Sequence, residues 1–306
     1  MKKDLTSIMD VAQDISKILK LSKDFEEKFH KRETHEILKG KTIALLFEKP
    51  STRTRVSFEV AIAQLGGHSF YLSWQDLQLT RGETVEDTAR VLSKYINGIV
   101  IRSSKHETIT EFAKHATVTV INGLSNLEHP CQILSDLFTI LERKGQLRGL
   151  NLAWIGDGNN VCNSLLLGCA ITGVNVKVAC PRGYEPLLVE KAEQLAKISG
   201  ASIEILTNPV EAIQDADIVY TDTWISMGTE SEAEKRLNIF PPYQVNKKLV
   251  SHAKKDYIFM HCLPAHRGQE VTSDIIDDPI HSVVWYQAEN KLHAQKAVLT
   301  FLLSQS

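Results

Sequence analysis

Short apolar segments rich in β-branched residues alternate along this chain with stretches of helical periodicity, and this alternation constrains the fold more than any other feature. The segments are Thr42–Phe47, Ile96–Ile101, Val118–Ile121, Leu152–Ile155, Val174–Ala179, Ile203–Leu206, Ile218–Thr221 and Tyr257–Met260. Strands that alternate with helices indicate parallel sheets covered by helices on both faces. Because ligands bind beyond the carboxyl ends of parallel strands, the residues directly after each segment are the candidates for a functional site.

The length of the chain, 306 residues, is typical of two domains. A boundary is expected within Glu142–Gly149, between a long helix that begins at Pro130 and the next strand. We therefore predict an α/β fold with two domains, residues 1–145 and 146–287, each a mostly parallel sheet flanked by helices. Long interdomain helices would join the domains, and a last helix at about residues 288–306 would pack back on the first one.

The composition is that of a soluble globular protein, since 43% of the residues are apolar and 24% are charged. A formal net charge of −2 does not favour nucleic acid or an anionic membrane as a partner. No apolar run approaches the ~20 residues of a membrane span, and the N-terminus lacks the apolar core of a signal peptide. The five cysteines form no C-x-x-C pair, which indicates a cytoplasmic location and no cysteine-rich zinc site.

Residues 47–59 place hydroxyl groups and guanidinium groups side by side directly after the first apolar segment. Ser51, Thr52 and Thr54 alternate there with Arg53 and Arg55, at the start of a helical pattern. The N-terminus of a helix favours an anion, and arginine adds fork-shaped contacts to phosphate oxygens. The sequence therefore predicts a phosphate-binding site. The alternative is a serine N-cap followed by solvated arginines.

A second group of polar side chains follows the next two apolar segments. Arg102 ends one segment, and His129-Pro130-Cys131-Gln132 begins a helix after the other. A proton donor there could polarise a carbonyl group, and the glutamine amide could both donate and accept. The structural alternatives are a salt bridge for Arg102 and helix capping for His129.

Two later motifs are suited to an amino-acid ligand. In Asp222–Gly228, a carboxylate and the Ser226 hydroxyl could bind an ammonium and a carboxylate group, although a capped loop is the alternative. The charged residues 229–238 could form a mobile lid. In His261-Cys262-Leu263-Pro264, the cysteine could be a nucleophile, a metal ligand or a polarizable wall beside an amine.

The run Gly156-Asp157-Gly158-Asn159-Asn160 follows an apolar segment and invites comparison with a dinucleotide-binding loop. However, Val161 stands where the third glycine would be, and the next segment ends at Cys180-Pro181 without an acidic residue for a ribose. The loop is therefore weak support for NAD. Asn159 and Asn160 are better suited to a small polar ligand.

Four motifs, in this order, resemble those of the ornithine carbamoyltransferases of the aspartate/ornithine carbamoyltransferase superfamily: F-E-K-P-S-T-R-T-R, H-P-C-Q, D-x-x-x-S-M-G and H-C-L-P. The resemblance extends from about Leu5 to the C-terminus. It implies transfer of a carbamoyl group from carbamoyl phosphate to the δ-amine of L-ornithine, without cofactor, metal or covalent intermediate. It also implies a homotrimer or a multiple of trimers, acting in arginine biosynthesis. A catabolic enzyme, or one that carbamoylates another amine such as putrescine, is the alternative.

By motif position, the resemblance also implies roles for individual residues. Arg102, His129 and Cys262 would be catalytic. The residues implied for carbamoyl phosphate are Ser51, Thr52, Arg53, Thr54, Gln78, Arg102, His129, Pro130, Cys131, Gln132, Cys262, Leu263 and Lys291. The residues implied for ornithine are Asn160, Asp222, Ser226 and Met227. Gln78 would reach the site of a neighbouring subunit, and Lys291 stands where the family usually has arginine, so the bidentate fork is lost there.

Overall fold

The computed structural model describes residues 2–226, 228 and 230–304. These form two compact units: unit 1 is Met1–Phe138 with Asn290–Ser306, and unit 2 is Thr139–Glu289. Each unit contains a parallel sheet flanked by helices, which confirms the predicted α/β class. The chain passes from one unit to the other inside two long helices, Pro130–Lys144 and Val284–Leu303.

The sheet of unit 1 has four parallel strands in the described residues, in the order β2-β1-β3-β4. They are β1 (Thr42–Phe47), β2 (His68–Ser73), β3 (Gly98–Arg102) and β4 (Thr119–Leu124). Three of them match predicted segments. Strand β2 was not predicted, because it lies at the edge of the sheet and none of its residues is fully buried, so it lacks the apolar run of the central strands.

The helices of unit 1 cover this sheet and end where the chain enters unit 2. They are α1 (Ile15–His30), α2 (Thr52–Gln64), α3 (Val85–Leu92), α4 (His106–His115) and the first part of α5 (Pro130–Lys144). One core cluster packs α3 and α4 on the sheet and includes Leu46, Ile99 and Phe112. Burial of such side chains stabilises the fold by about 1.5–3 kcal/mol each.

Within the part of unit 2 that the structure describes, the sheet has five parallel strands in the order β7-β6-β5-β8-β9. The strands are β5 (Asn151–Ile155), β6 (Asn175–Ala179), β7 (Ile203–Leu206), β8 (Ile218–Thr221) and β9 (Ile258–His261). The helices are α6 (Asn160–Thr172), α7 (Val189–Ser199), α8 (Pro209–Ile213), α9 (Ala233–Ile239), α10 (Lys247–Val250), α11 (Ser273–Ile276) and α12 (Val284–Leu303), the last of which ends in unit 1.

Each sheet has a point at which the strand order reverses. In unit 1 the chain runs from β1 to β2 on one side and then to β3 on the other. In unit 2 it runs outward from β5 to β7 and then returns to β8 beside β5. Ligands bind at such reversals in open α/β sheets. The loops after β1 and β3, and those after β5 and β8, are therefore where the fold favours binding.

Among the described helices, none combines the length and the apolar character that a bilayer crossing would require.

Candidate functional site

The loop after β1 leads directly into the N-terminus of α2. Ser51 is the N-cap of this helix, and its side chain accepts a hydrogen bond from the Thr54 backbone N–H at 3.3 Å. Thr52 is the first residue of the helix, and Thr54 is buried. The N-cap interpretation is therefore correct for Ser51. It remains compatible with an anion, because the other N–H groups of the first turn still point out of the helix end.

The two arginines of this helix have different surroundings. The Arg55 guanidinium lies 3.9 Å from the centre of the Tyr71 ring, and its Nε donates to Glu59 at 3.0 Å. Arg53, in contrast, lies near enough to Arg102, at the end of β3, for its charge to act on that guanidinium. Burial and the nearby charge of Arg53 lower the pKa of Arg102 to about 10. Arg53 and Arg102 thus form a pair of cations, which is the arrangement that a phosphate stabilises.

His129 stands immediately before α5, which begins at Pro130. The imidazole is buried. Burial, with the charges of Lys291 and Arg102, holds the pKa of His129 well below its ordinary value. The side chain is therefore neutral at physiological pH, and it can donate one hydrogen bond to a carbonyl oxygen without adding a charge.

Gln132 connects two buried charged groups. Its Nε2 donates to Asp136 Oδ1 at 2.9 Å, and its Oε1 accepts from Lys291 Nζ at 2.8 Å. The amide is thereby fixed in orientation. The sequence had suggested direct ligand contacts for Gln132, whereas its bonds in the structure orient Lys291, a contact that nothing in the local sequence signals.

Two further residues implied for carbamoyl phosphate, Cys131 and Gln78, differ in exposure. Cys131 is buried, its Sγ donates to the Asn122 carbonyl at 3.5 Å, and burial raises the pKa of its thiol to about 12. Its position is that of a small packed side chain. Gln78 is exposed at the start of the short helical turn Gln78–Arg81.

In unit 2, the loops after β5 and β8 are joined by Asn159. Its Oδ1 caps α6 by accepting from the N–H groups of Val161 and Cys162. Its Nδ2 donates to Asp222 Oδ2 at 2.8 Å and lies 3.4 Å from Ser226 Oγ. Asn159 therefore positions two of the residues implied for ornithine. Asn160 is the first residue of α6, and Met227 lies outside the described residues.

The other oxygen of Asp222 accepts two hydrogen bonds. Cys262 Sγ donates to Oδ1 at 3.1 Å, and the Thr223 N–H donates to the same atom at 2.8 Å. A thiol that donates to a carboxylate keeps its proton, so this geometry does not favour a thiolate nucleophile. It favours Cys262 as a polarizable wall beside a carboxylate that is ready to bind an amine.

The segment after β9 is held by a buried histidine. His261 Nδ1 accepts from the Leu263 N–H at 2.9 Å, while Nε2 lies 3.2 Å from Oε1 of the buried Glu270. Asp222, His261 and Cys262 place potential metal-ligand atoms within 4.8 Å of one another. Since both ring nitrogens of His261 already have hydrogen-bond partners, we interpret the three residues as a hydrogen-bonded set.

A buried ion pair that the motifs do not reveal supports this site. Arg236 Nη1 lies 2.8 Å from Asp157 Oδ2 and 2.9 Å from the Trp224 carbonyl, and Nε donates to Glu232 at 3.1 Å. Burial raises the pKa of Asp157 to about 6, although the charge of Arg236 opposes this. Arg236 lies within the stretch proposed as a mobile lid, and its contacts join α9 to the loop after β5.

Gly158, in the loop after β5, serves a packing requirement. Gly158 donates its N–H to the Tyr184 carbonyl at 2.9 Å, and a Cβ added at this position would lie 2.3 Å from Pro186 N. The chain of residues 184–186 therefore passes where a side chain would be. This explains a glycine-rich loop without a dinucleotide.

Iodoacetamide is expected to modify Cys262 before the other four cysteines of the folded protein. Cys262 is partly exposed, whereas the other four are buried, and burial raises the pKa of Cys131 and Cys180 to about 12. Peptide mass mapping at increasing reaction times checks the order. Alkylation of a buried cysteine as early as Cys262 would contradict it.

Two family profiles match this chain, one on each part. Residues 3–142 match the carbamoyl-P binding domain of aspartate/ornithine carbamoyltransferase, and residues 148–302 match its Asp/Orn binding domain. The chain belongs to the aspartate/ornithine carbamoyltransferase family. This membership confirms the resemblance that the four motifs suggested.

Similar members of this family include enzymes named for opposite metabolic directions. The anabolic ornithine carbamoyltransferase of Pyrococcus furiosus is 56% identical over 98% of this chain and 96% of its own length. The catabolic ornithine carbamoyltransferase of Thermoplasma volcanium is 50% identical over 99% of both chains. The solved structure of the ornithine carbamoyltransferase from Pyrococcus furiosus superposes with a TM-score of 0.95, with 56% identity, covering 99% of this chain and 97% of that one.

Proposed function

We propose that this protein transfers the carbamoyl group of carbamoyl phosphate to the δ-amine of L-ornithine, giving L-citrulline and phosphate. The observation that carries the proposal is the match between charge and unit. The segment that matches the carbamoyl-P binding profile carries the cations Arg53 and Arg102, and the segment that matches the Asp/Orn binding profile carries the carboxylate of Asp222. Relatives named ornithine carbamoyltransferase support the choice of acceptor.

Carbamoyl phosphate is assigned to the residues around the reversal of strand order in unit 1. The first turn of α2, with Ser51, Thr52 and Thr54, binds phosphate oxygens through its N–H and hydroxyl groups. Arg53 adds a charge-assisted contact to the phosphate. Further residues proposed to hold the donor are Arg102, His129, Pro130, Cys131, Gln132, Lys291, Cys262, Leu263 and, from a neighbouring subunit, Gln78.

Ornithine is assigned to the loops after β5 and β8. Asp222 binds an amine, because both its oxygens are oriented by neighbouring donors and its charge attracts an ammonium group. Ser226, Asn160 and Met227 complete the proposed set for the amino-acid end. Asn159, which is not among the residues implied by the resemblance, orients Asp222 and Ser226.

The chemical step requires a neutral amine, whose pKa in water is near ~10. Removal from water lowers the pKa of an amine. The nitrogen then attacks the carbamoyl carbon, the bond from this carbon to the phosphate oxygen breaks, and the proton that the nitrogen loses passes to the departing phosphate. Arg102 and the neutral His129 are placed to stabilise the negative charge that grows on the carbamoyl oxygen. One such donor contributes about 3–4 kcal/mol.

Colorimetric measurement of citrulline, with saturation curves for carbamoyl phosphate and ornithine, tests the function directly. Putrescine in place of ornithine tests the other acceptor.

Because relatives carry both anabolic and catabolic names, we propose arginine biosynthesis as the role and the breakdown of citrulline as the alternative. We also propose that the protein is a homotrimer and that it is cytoplasmic. Sedimentation analysis measures the number of chains in the assembly.

Replacing Asp222 by asparagine is expected to lower kcat/KM for ornithine by about 100-fold and to leave KM for carbamoyl phosphate within about threefold. The change removes the charge that binds the amine and turns one of the accepting atoms into a donor, against the donors already present. Steady-state kinetics with each substrate varied in turn measure the effect. The matched control is Asp215→Asn, at an exposed position of the same unit.

An equal loss for both substrates in Asp222→Asn, or the same loss in Asp215→Asn, would contradict the assignment of Asp222 to ornithine.

A further inference from the structure

The side chain of Glu48 joins the two loops that carry the proposed phosphate-binding residues of unit 1. Glu48 follows β1 directly, and its N–H donates to the Arg102 carbonyl at 2.8 Å. Its carboxylate accepts from Ser103 Oγ at 2.9 Å and from the Ser104 N–H at 2.6 Å, and it also accepts from the Ser104 hydroxyl. One side chain from the β1–α2 loop therefore holds the start of the β3–α4 loop.

This connection opposes a repulsion within the site. The strands β1 and β3 are neighbours with Phe47 paired to Arg102, and the charge of Arg53, on α2, acts on the Arg102 guanidinium, so that the two cations repel each other. The residues next in sequence to Arg102 are the ones that Glu48 binds. Hydrogen bonds to an ionised group are stronger than those between neutral groups. The bonds from Ser103 and Ser104 to Glu48 therefore oppose displacement of the Arg102 backbone by the charge of Arg53.

The carboxylate of Glu48 is ionised, and its hydrogen bonds are made with the β3–α4 loop. Burial opposes its ionisation, but the hydrogen bonds from Ser104 and Ser103, with the charge of Lys49, lower the pKa of Glu48. It is therefore negatively charged at physiological pH. Because its oxygens accept hydrogen bonds from Ser103 and Ser104, its charge acts on the β3–α4 loop.

We propose that Glu48 is a positioning residue for carbamoyl phosphate, holding Arg102 beside Arg53 and the N-terminus of α2 through its bonds to Ser103 and Ser104. This inference rests on the proposed function for the identity of the substrate. It goes beyond that function because it assigns the arrangement of the phosphate-binding cations to an acidic residue that does not touch the phosphate.

Glu48→Ala, Glu48→Gln and the matched control Glu59→Ala test the proposal. Glu59 is also a glutamate near α2's arginines, but it pairs with Arg55. Glu48→Ala is expected to raise KM for carbamoyl phosphate and the Kd of inorganic phosphate, measured by calorimetry, by at least about tenfold, since small displacements at a site cost up to ~10²-fold. KM for ornithine at saturating carbamoyl phosphate should stay within about twofold of wild type.

The conservative variant separates positioning from general stability. In Glu48→Gln the amide oxygen still accepts from the Ser104 N–H, and a serine hydroxyl accepts from the amide nitrogen, so most phosphate affinity should return. Glu59→Ala should bind phosphate as wild type does. Wild-type phosphate affinity in Glu48→Ala would overturn the proposal, as would an equal rise of KM for both substrates.

The phosphate-binding comparison of the Glu48 variants does not depend on which amine accepts the carbamoyl group. If wild-type protein binds phosphate but forms no citrulline, the proposed function fails while the Glu48 comparison still stands. If citrulline forms and Glu48→Ala binds phosphate normally, only the inference about Glu48 fails.

Discussion

Arg53→Ala is expected to lower kcat/KM for carbamoyl phosphate by about 10²-fold to 10³-fold, whereas Arg55→Ala should lower it by less than about threefold. A single preorganised charged donor at a reacting group is worth effects of this size. The two arginines are two residues apart on α2, but the charge of Arg53 acts on Arg102, whereas Arg55 is held by Tyr71 and Glu59. Steady-state kinetics with carbamoyl phosphate varied at saturating ornithine measure both variants.

The control for charge alone is Arg53→Lys. Lysine keeps the positive charge and loses the planar fork, so an intermediate loss of activity is expected. If Arg53→Lys equals wild type, the charge suffices and a bidentate contact is unnecessary. If Arg53→Ala and Arg55→Ala lose activity equally, the assignment of Arg53 to the phosphate is wrong.

The alternation of apolar segments predicted the fold because central parallel strands are buried on both faces. Segments such as Thr42–Phe47 and Leu152–Ile155 are uniformly apolar for this reason. The edge strand β2 lies outside this rule, because its residues are only partly buried. The helical course of the chain between the units was also visible in the sequence, since a long helical pattern begins at Pro130, a favoured first helical residue.

The motifs predicted which loops carry the candidate site but not how their residues are held. Ser51, His129 and Asp222 are local signals, since each stands at the start of a helix or just after a strand. The pairing of Lys291 with Gln132, and of Arg236 with Asp157, joins residues far apart in the chain. Such contacts depend on the packing of whole elements. Nothing in the sequence close to Lys291 or Arg236 distinguishes either side chain from a solvated one.

The glycine at position 158 illustrates the same limit. Its neighbour Gly156 has a φ of +130°, a backbone conformation that by itself favours glycine. Gly158 has no such conformation. It is required because the chain at Glu185 and Pro186 lies against it, and this distant segment cannot be read from the run Gly156–Asn160.

Gly158→Ala is therefore expected to destabilise unit 2 at the upper end of the range of about 1–3 kcal/mol for overpacking, and to raise KM for ornithine by at least about tenfold. The new Cβ would lie 2.3 Å from Pro186 N and 2.5 Å from Glu185 C, so the backbone has to shift. Asn159 follows in the chain and donates to Asp222, so the shift should reach the proposed ornithine site.

The matched control for this variant is Gly183→Ala, which lies in the loop that Gly158 contacts. Gly183 has a φ of +85° and no atom within 4 Å of an added Cβ, so alanine costs only backbone strain of about 1–2 kcal/mol. Thermal denaturation and ornithine saturation curves should show lower stability for both variants and a raised KM only for Gly158→Ala. An unchanged KM in Gly158→Ala would mean that the loop after β5 absorbs the displacement before Asn159, and that the packing of Gly158 serves stability alone.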